Sequence, residues 1–168
     1  MRKILSIFTL SIFWLTACAT ATPSPESFMK EAGESGMAEV KLATIALQRA
    51  ADPQVKEFAL KMTEEHGKAN AELAQLAGKK GLTLPSDLNA SHRGLESKLG
   101  KLSGEAFDKE YMTEMVVDHE KDVKSFQTQA ENSTDADVKM FAAKHLPALQ
   151  QHLKMAQDLK AKFAPPAK

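Results

Sequence analysis

One stretch decides the fold: "PQVKEFALKMTEEHGKANAELAQL", residues 53–76. Its inward positions recur at alternating intervals of four and three residues, which is the stripe of a helix packed in a bundle. The stripe consists of Val55, Ala59, Met62, His66, Ala69, Leu73 and Leu76. A histidine therefore occupies a position at which this pattern requires a core residue. The helix is predicted to carry an imidazole into the interior of the protein.

Three further segments carry the same stripe, and no window shows the two-residue alternation of a strand. The four predicted helices cover about residues 25–50, 52–80, 104–131 and 135–164. Ser24 before Pro25 and Asp52 before Pro53 are typical helix starts, because a capping side chain precedes a proline at the first helical position. Asp135 is predicted to cap the last helix in the same way.

A long polar connection, residues 81–104, separates the second helix from the third. A loop of this length is uncommon unless it carries structure or crosses the bundle. The spacing of Leu95, Leu99 and Leu102 predicts a short helix within it. We therefore predict an all-α, ferritin-like four-helix bundle of two helical hairpins joined by a long crossover. His92 lies in this crossover and is predicted to be solvated.

The N-terminus has the pattern of a bacterial lipoprotein signal. Arg2 and Lys3 precede an apolar run, residues 4–15, that ends at "LTAC", residues 15–18. The pattern predicts a signal peptide over residues 1–17 and lipid attachment at Cys18. Cys18 is the only cysteine and cannot form an intramolecular disulfide. The alternatives are an ordinary signal peptide cut at Ala17 or later, or a retained signal anchor.

The domain organisation follows from that signal. Residues 18–25 are predicted to form a lipid-anchored tether, residues 26–164 the bundle, and residues 165–168 a C-terminal tail. Acyl chains would make a membrane the partner of the mature chain. Ala19 stands where an Asp would resemble an inner-membrane retention signal, so we predict a cell-envelope protein on the outer membrane, facing the periplasm.

The charge balance excludes some partners. The chain has 22 basic and 22 acidic residues, so it offers no basic excess that would attract nucleic acid. The sequence does not indicate a protein partner. It also has no glycine-rich phosphate loop, no nucleophile elbow and no zinc-protease helix, so we predict that the protein is not an enzyme.

One potential ligand on each helix points toward the middle of the predicted bundle. At about 1.5 Å per residue, Glu39, His66 and His119 each lie roughly 20 Å from the nearest hairpin turn, and so share one level. His145 and His152 on the last helix bracket that level within about one turn. The four helices are therefore expected to bring a carboxylate and several imidazoles together.

Two interpretations of this cluster stay open. Buried polar groups are costly unless they satisfy one another or a bound species. In the first interpretation the cluster binds a metal ion, and zinc, copper, iron and nickel are the ions that suit imidazole. In the second it is a closed polar network that only sets helix register, and the protein is a structural or interaction module. Met62 and Met115 lie one helical turn before His66 and His119. As thioether ligands they would favour copper, whereas in the alternative they only fill the core. Tyr111 could donate a hydrogen bond into the site.

The sequence resembles the bacterial family called domain of unknown function 4142 over about residues 28–159. The matching stretches are "SGMAEVKLATIA" (35–46), "VKEFALKMTEEHGKAN" (55–70), "GLTLP" (81–85), "LSGEAFDKEYM" (102–112) and "FAAKHLPALQQHL" (141–153). The resemblance implies an exported ferritin-like bundle. It also implies that Glu39, His66, His119 and His152 stand at positions of the family's pattern, whereas His145 is peculiar to this chain.

The Glu-x-x-His signature of ferritin-like di-iron proteins is absent. Thr63 stands three residues before His66, and Leu149 three residues before His152. A redox enzyme of the ferritin-like type is therefore the weakest of the three functional hypotheses, behind a metal-binding or ligand-binding module and a structural module.

The lipid anchor can be tested by replacing the acylated atom. Cys18→Ser is expected to abolish incorporation of radiolabelled palmitate, because serine offers no sulfur for the thioether to diacylglycerol. The measurement is metabolic labelling of the full chain followed by immunoprecipitation. Labelling that survives the substitution would contradict the lipoprotein prediction.

Overall fold

The computed structural model describes residues 22–164, and all regular structure in that range is helical. Five helices follow one another: α1 Pro25–Arg49, α2 Pro53–Lys79, α3 Ala90–Leu99, α4 Gly104–Asn132 and α5 Ala136–Lys162. Side-chain caps start four of them, on Ser24, Asp52, Asn89 and Asp135. Each cap accepts a backbone N–H that the first helical turn leaves without a partner.

The helices form two antiparallel hairpins, α1 with α2 and α4 with α5. The hairpins join along α1 against α4 and α2 against α5. The register between α1 and α4 is antiparallel, since Ser35 pairs with Asp122 and Ala51 pairs with Asp108. Helices α2 and α4 therefore run in the same direction, and the connection between them must traverse the length of the bundle. The predicted ferritin-like bundle with a long crossover is confirmed.

The crossover carries the predicted short helix, α3, which packs on α1 and α4. The prediction for His92 was wrong. Its side chain is buried, and its Nδ1 lies 2.7 Å from Glu34 Oε1. Glu34 also accepts hydrogen bonds from the backbone and side-chain nitrogens of Asn89, at 2.9 and 2.7 Å. The apolar side of α3 draws the crossover onto α1, and His92 is enclosed with it.

Two clusters of buried apolar side chains fill the bundle, one on each side of a polar layer. The first cluster draws on residues 42–50, 55–62, 107–116 and 156–159, together with Leu99 at the end of α3. The second cluster draws on residues 28–32, 73, 126 and 138–149. Between them lies one polar residue from each long helix, a set that we call the mid-bundle layer: Glu39, His66, His119 and His152. The fold therefore places polar chemistry at the centre of its core.

The remaining sequence predictions concern residues outside the described range. The signal peptide, Cys18, the first part of the tether and the C-terminal tail lie in residues 1–21 and 165–168, so these stay predictions. Among residues 22–164, none of the helices is long and apolar enough to span a membrane.

The buried carboxylate of Asp108 holds the hairpins together. It accepts backbone N–H groups from Ala51 at 3.1 Å and Asp52 at 2.8 Å, in the turn between α1 and α2.

Asp108→Ala leaves those donors without their acceptor, and is expected to lower the free energy of unfolding by about 2–3 kcal/mol. Urea denaturation measures this. Asp158→Ala, at an exposed carboxylate paired with Lys154, is the control and should cost less than about 1 kcal/mol. Equal losses would contradict this role for Asp108.

Candidate metal centre

The mid-bundle layer brings three imidazoles close together. His66 on α2, His119 on α4 and His152 on α5 are at most 5% exposed. Their ring centroids lie 5.2 to 5.5 Å apart in all three pairs. One ring nitrogen from each lies within 4.8 Å of the other two, which is close enough for a single metal ion to contact all three. Helices α2, α4 and α5 contribute them at one height, as the spacing from the turns predicted.

Two of the rings are oriented by acceptors on their outer sides. His119 Nδ1 donates to the backbone carbonyl of Met115 at 2.9 Å, within its own helix. His152 Nε2 donates to Glu65 Oε2 at 2.8 Å, across the α2–α5 seam. An outer acceptor of this kind sets the tautomer and leaves the other ring nitrogen with a lone pair, as in metal-ligating histidines. His119 Nε2 and His152 Nδ1 are therefore the available donor atoms.

Glu39 makes a close charge contact with the third ring. Its Oε2 lies 2.7 Å from His66 Nδ1, and its Oε1 lies 3.4 Å from His119 Nδ1. The carboxylate thus faces the outer nitrogens of two rings, not the space between the rings. The sequence-based hypothesis treated Glu39 as a ligand equal to the histidines, whereas the geometry places its carboxylate beside the outer nitrogens of His66 and His119. This position could not be inferred from helix height alone.

The inward nitrogens of His66 and His152 have the spacing of two ligands on one ion. His66 Nε2 and His152 Nδ1 are 3.3 Å apart. Two nitrogens bound at 2.0–2.1 Å to a tetrahedral ion are separated by about 3.3 Å. His119 Nε2 is buried and has no hydrogen-bond partner among the described residues. The three residues therefore fit a metal ion in both the type and the placement of their donor atoms.

The protonation states also suit a cation. Burial lowers the pKa of His152 to about 4, and repulsion from His66 acts in the same direction. Burial likewise lowers the pKa of His119. For His66 burial opposes protonation, but the adjacent carboxylate of Glu39 prevails and raises its pKa. Without metal, His66 Nε2 donates its proton toward His152 Nδ1, and an ion bound there would displace that proton.

The other residues named from the sequence lie around the three rings. Met62, Met115 and Tyr111 are fully buried in the apolar cluster on one side of the layer. Tyr111 stacks on Phe107 with ring centroids 5.6 Å apart, and burial raises the pKa of its hydroxyl. His145 is not part of the group of three imidazoles, since its Nε2 lies 3.0 Å from Glu72 on the seam between α2 and α5.

Three polar residues of the site were missed from the sequence: Glu65, Ser35 and Asp122. Asp122 is buried on α4, three residues after His119, and accepts a hydrogen bond from Ser35 Oγ at 2.9 Å. Burial raises the pKa of Asp122, and the charge of Glu39 raises it further. The available signal was spacing, because a residue three positions from a buried histidine shares its helix face. Glu65 gave no such signal, since its contact with His152 depends on the neighbouring helix.

A cavity of about 210 Å³ adjoins the layer. Glu39, His66 and His152 line its inner part, while its apolar wall comes from the second core cluster. That wall includes Ala32, Leu73, Phe126, Phe141 and Leu149. The cavity borders two of the three imidazoles and so offers space beside the candidate ligands.

The comparisons with known proteins agree with this architecture. The family described as a domain of unknown function, DUF4142, matches residues 15–159, and the chain belongs to that family. No curated protein matches the sequence. The family and the matched structures indicate no catalytic class.

Solved structures share the fold at low sequence identity. CopM in its Cu(II)-bound form is 15% identical with a TM-score of 0.74, over 86% of this chain and 100% of that chain. A DUF305 fragment from Deinococcus radiodurans is 15% identical with a TM-score of 0.73, over 84% and 98%. A DUF305 protein from Streptomyces coelicolor is 19% identical with a TM-score of 0.70, over 85% and 96%. At these identities the likeness shows the fold alone.

The raised pKa of Asp122 makes stability depend on pH. The unfolded chain releases this proton near pH 3.9, whereas the folded chain retains it to a higher pH, so stability falls as pH rises between the two values. Asp122→Asn keeps an acceptor for Ser35 and removes this loss. In metal-free protein the variant is expected to match the wild type at pH 4 and to exceed it by about 2 kcal/mol at pH 7.5.

Urea denaturation across this pH range, with a chelator present, measures the difference. Glu120→Gln removes an exposed carboxylate from the same helix and is the control. Its difference from the wild type should stay constant with pH. A constant difference for Asp122→Asn as well would show that Asp122 ionises normally in the folded protein.

Proposed function

We propose that this protein is a cell-envelope lipoprotein whose bundle binds one transition-metal ion through His66, His119 and His152. The observation that carries the proposal is the set of three inward nitrogens. Each ring has its outer nitrogen beside an acceptor, and one ring nitrogen from each histidine lies within 4.8 Å of the other two. An ion at this point would bind the lone pairs of His119 Nε2 and His152 Nδ1 and would replace the proton on His66 Nε2.

The competing function, a polar core that only sets helix register, fits this geometry less well. A closed network satisfies each buried polar atom within itself. Here His119 Nε2 has no partner within the described part of the chain, although its residue is 0% exposed. A metal ion between the rings would satisfy this nitrogen together with the facing nitrogens of His66 and His152.

Copper is the ion that we favour. Neutral imidazoles suit copper, zinc, iron and nickel, and among divalent ions copper has the highest affinity for nitrogen sites. The structurally similar CopM has been solved in Cu(II)-bound, Cu(I)-bound and silver-bound forms. Met62 and Met115 lie in the apolar cluster next to the layer, where thioethers would suit Cu(I). Iron is less favoured, because the chain lacks the Glu-x-x-His signature of ferritin-like di-iron sites.

The proposed location is the outer membrane, with the bundle in the periplasm. The supporting features are the "LTAC" stretch at residues 15–18, the preceding apolar run and the lone cysteine. A tether that ends at residue 25 would hold the bundle close to the lipid surface. In that place, a buried three-imidazole site would bind or sequester copper outside the cytoplasm without chemical turnover.

The metal site is tested by the copper content of single-ligand variants. The full chain, purified without a histidine tag and mixed with Cu²⁺, is expected to retain one ion per chain after gel filtration. His66→Ala, His119→Ala and His152→Ala should each abolish retention, because two imidazoles alone bind weakly. His92→Gln is the control, since it changes a buried histidine outside the layer. Elemental analysis provides the readout, and Cys18→Ser accounts for copper at the lone cysteine.

Glu39→Gln separates an orienting residue from a ligand. Loss of an outer-shell acceptor is expected to weaken copper binding about 10–100-fold while the stoichiometry stays at one. Competition titration with a chelator measures the affinity. A wild-type chain that retains no copper or other transition metal, with alanine variants that merely lose stability, would favour the closed polar network instead.

A further inference from the structure

The three candidate ligands are buried too deeply for an ion to reach them directly. His66, His119 and His152 are 5%, 0% and 1% exposed. The cavity beside the layer is lined by His66 and His152 at its inner part, and by Glu72, His145 and Lys68 farther along. The Glu72 side chain is 41% exposed, so this second part of the cavity borders solvent. An ion that moves between solvent and the three imidazoles therefore has a route past Glu72 and His145.

That route carries the same carboxylate–imidazole pair at two levels. At the inner level His152 Nε2 lies 2.8 Å from Glu65 Oε2. At the outer level His145 Nε2 lies 3.0 Å from Glu72 Oε2. The two glutamates are seven residues apart on α2, and the two histidines are seven residues apart on the antiparallel α5. The seam thus repeats one polar pair after two helical turns.

Helix geometry makes the two levels separate positions for an ion. Seven residues rise by about 10.5 Å along a helix. Metal–nitrogen bonds are about 2.0–2.1 Å long, so one ion cannot bind His145 and His152 at the same time. Apolar side chains of the cavity wall, including Leu149 and Ala148, lie between them. His145 can therefore act on an ion only before or after the inner site does.

We infer that His145 and Glu72 form an outer capture site, which binds the transition-metal ion at the cavity mouth and passes it to the three imidazoles. The inference rests on the proposed function, because it needs an inner site that binds the same ion. One imidazole and one carboxylate, completed by water, are suitable donors for a transient site. Because His145 and Glu72 are partly exposed, a hydrated ion can approach them, whereas the three inner imidazoles are shielded from solvent.

A neighbouring lysine makes the outer capture site weak. Lys144 Nζ lies 2.9 and 2.8 Å from the two carboxylate oxygens of Glu72. An incoming cation must compete with this ammonium group for Glu72. A site that passes its ion onward must release it readily, and the competing charge limits how tightly the ion is bound. The ring of Phe141, with its centroid 4.6 Å from that of His145, helps to position the imidazole.

The experiment measures how fast the protein loads and releases copper. The full metal-free chain is mixed with one equivalent of Cu²⁺ at low ionic strength, and copper–imidazole absorbance is followed by stopped flow. His145→Gln and Glu72→Gln are each expected to slow loading on the order of tenfold. The equilibrium affinity should stay unchanged, so release to a chelator should slow by the same factor. His152→Ala, in contrast, should lower the affinity itself.

Lys144→Gln distinguishes ion capture from a structural ion pair. If Glu72 attracts the ion, removing the competing ammonium should speed loading, whereas removing Glu72 slows it. If the pair only joins α2 to α5, both changes break the same bridge and should act in the same direction. Glu64→Gln removes an exposed carboxylate from the same helix away from the cavity, and should leave the rate unchanged apart from a small effect of net charge.

The outcomes separate the two proposals. Slower loading in both outer-site variants, with faster loading in Lys144→Gln, supports the outer capture site. Loading of His145→Gln at the wild-type rate, or equal directions for Glu72→Gln and Lys144→Gln, overturns it while the inner site stands. A wild-type chain that takes up no copper overturns the proposed inner site, and the outer capture site with it.

Discussion

The contact between the Glu39 carboxylate and the His66 ring, 2.7 Å at its closest, is the interaction on which the rest of the structure depends. A buried charge without a partner costs several kcal/mol, so this carboxylate must meet its imidazoles. They lie on different helices, and sliding any one helix by a turn would move its residue about 5.4 Å away. Burial opposes the ionisation of Glu39, but His66 and His119 prevail and lower its pKa. One electrostatic requirement therefore sets the register of three helices and divides the apolar core into two clusters.

The same requirement prepares the site for a cation. Glu39, Glu65 and the carbonyl of Met115 each face the outer nitrogen of one ring, so the inner nitrogens can meet an ion once His66 Nε2 has released its proton. A network that serves only register would have no reason to leave the buried His119 Nε2 without a partner among the described residues, beside the paired nitrogens of His66 and His152. The antiparallel α2–α5 seam then repeats its carboxylate–imidazole pair toward solvent. The helix contacts that set the register therefore also form the candidate metal site and the proposed route from solvent to it.

Much of the fold could be predicted because it depends on periodicity. The four long helices, their caps and the short crossover helix all follow from local patterns, and the observed bounds differ from the predicted ones by only a few residues. His92 was predicted wrongly because its burial depends on α3 lying against α1, which no local pattern records. Glu65 was missed for a related reason. On its own helix it resembles a solvated acidic residue, and only α5 makes it the acceptor for His152.

By itself the sequence determined that four long helices exist and that Glu39, His66 and His119 share one level, because rise per residue and turn positions fix height along a helix. His145 and His152 both remained within about one turn of that level, and the family resemblance favoured His152. The sequence also contains the pattern that predicts lipid attachment at Cys18, and this prediction depends on no tertiary contact. Only the tertiary structure decided which side of each ring faces the centre. Ring orientation depends on side-chain rotamers and on acceptors from neighbouring helices, and these arise only when the helices pack. Packing therefore separated the three inward imidazoles from Glu39 behind them, and placed His145 on the route to solvent.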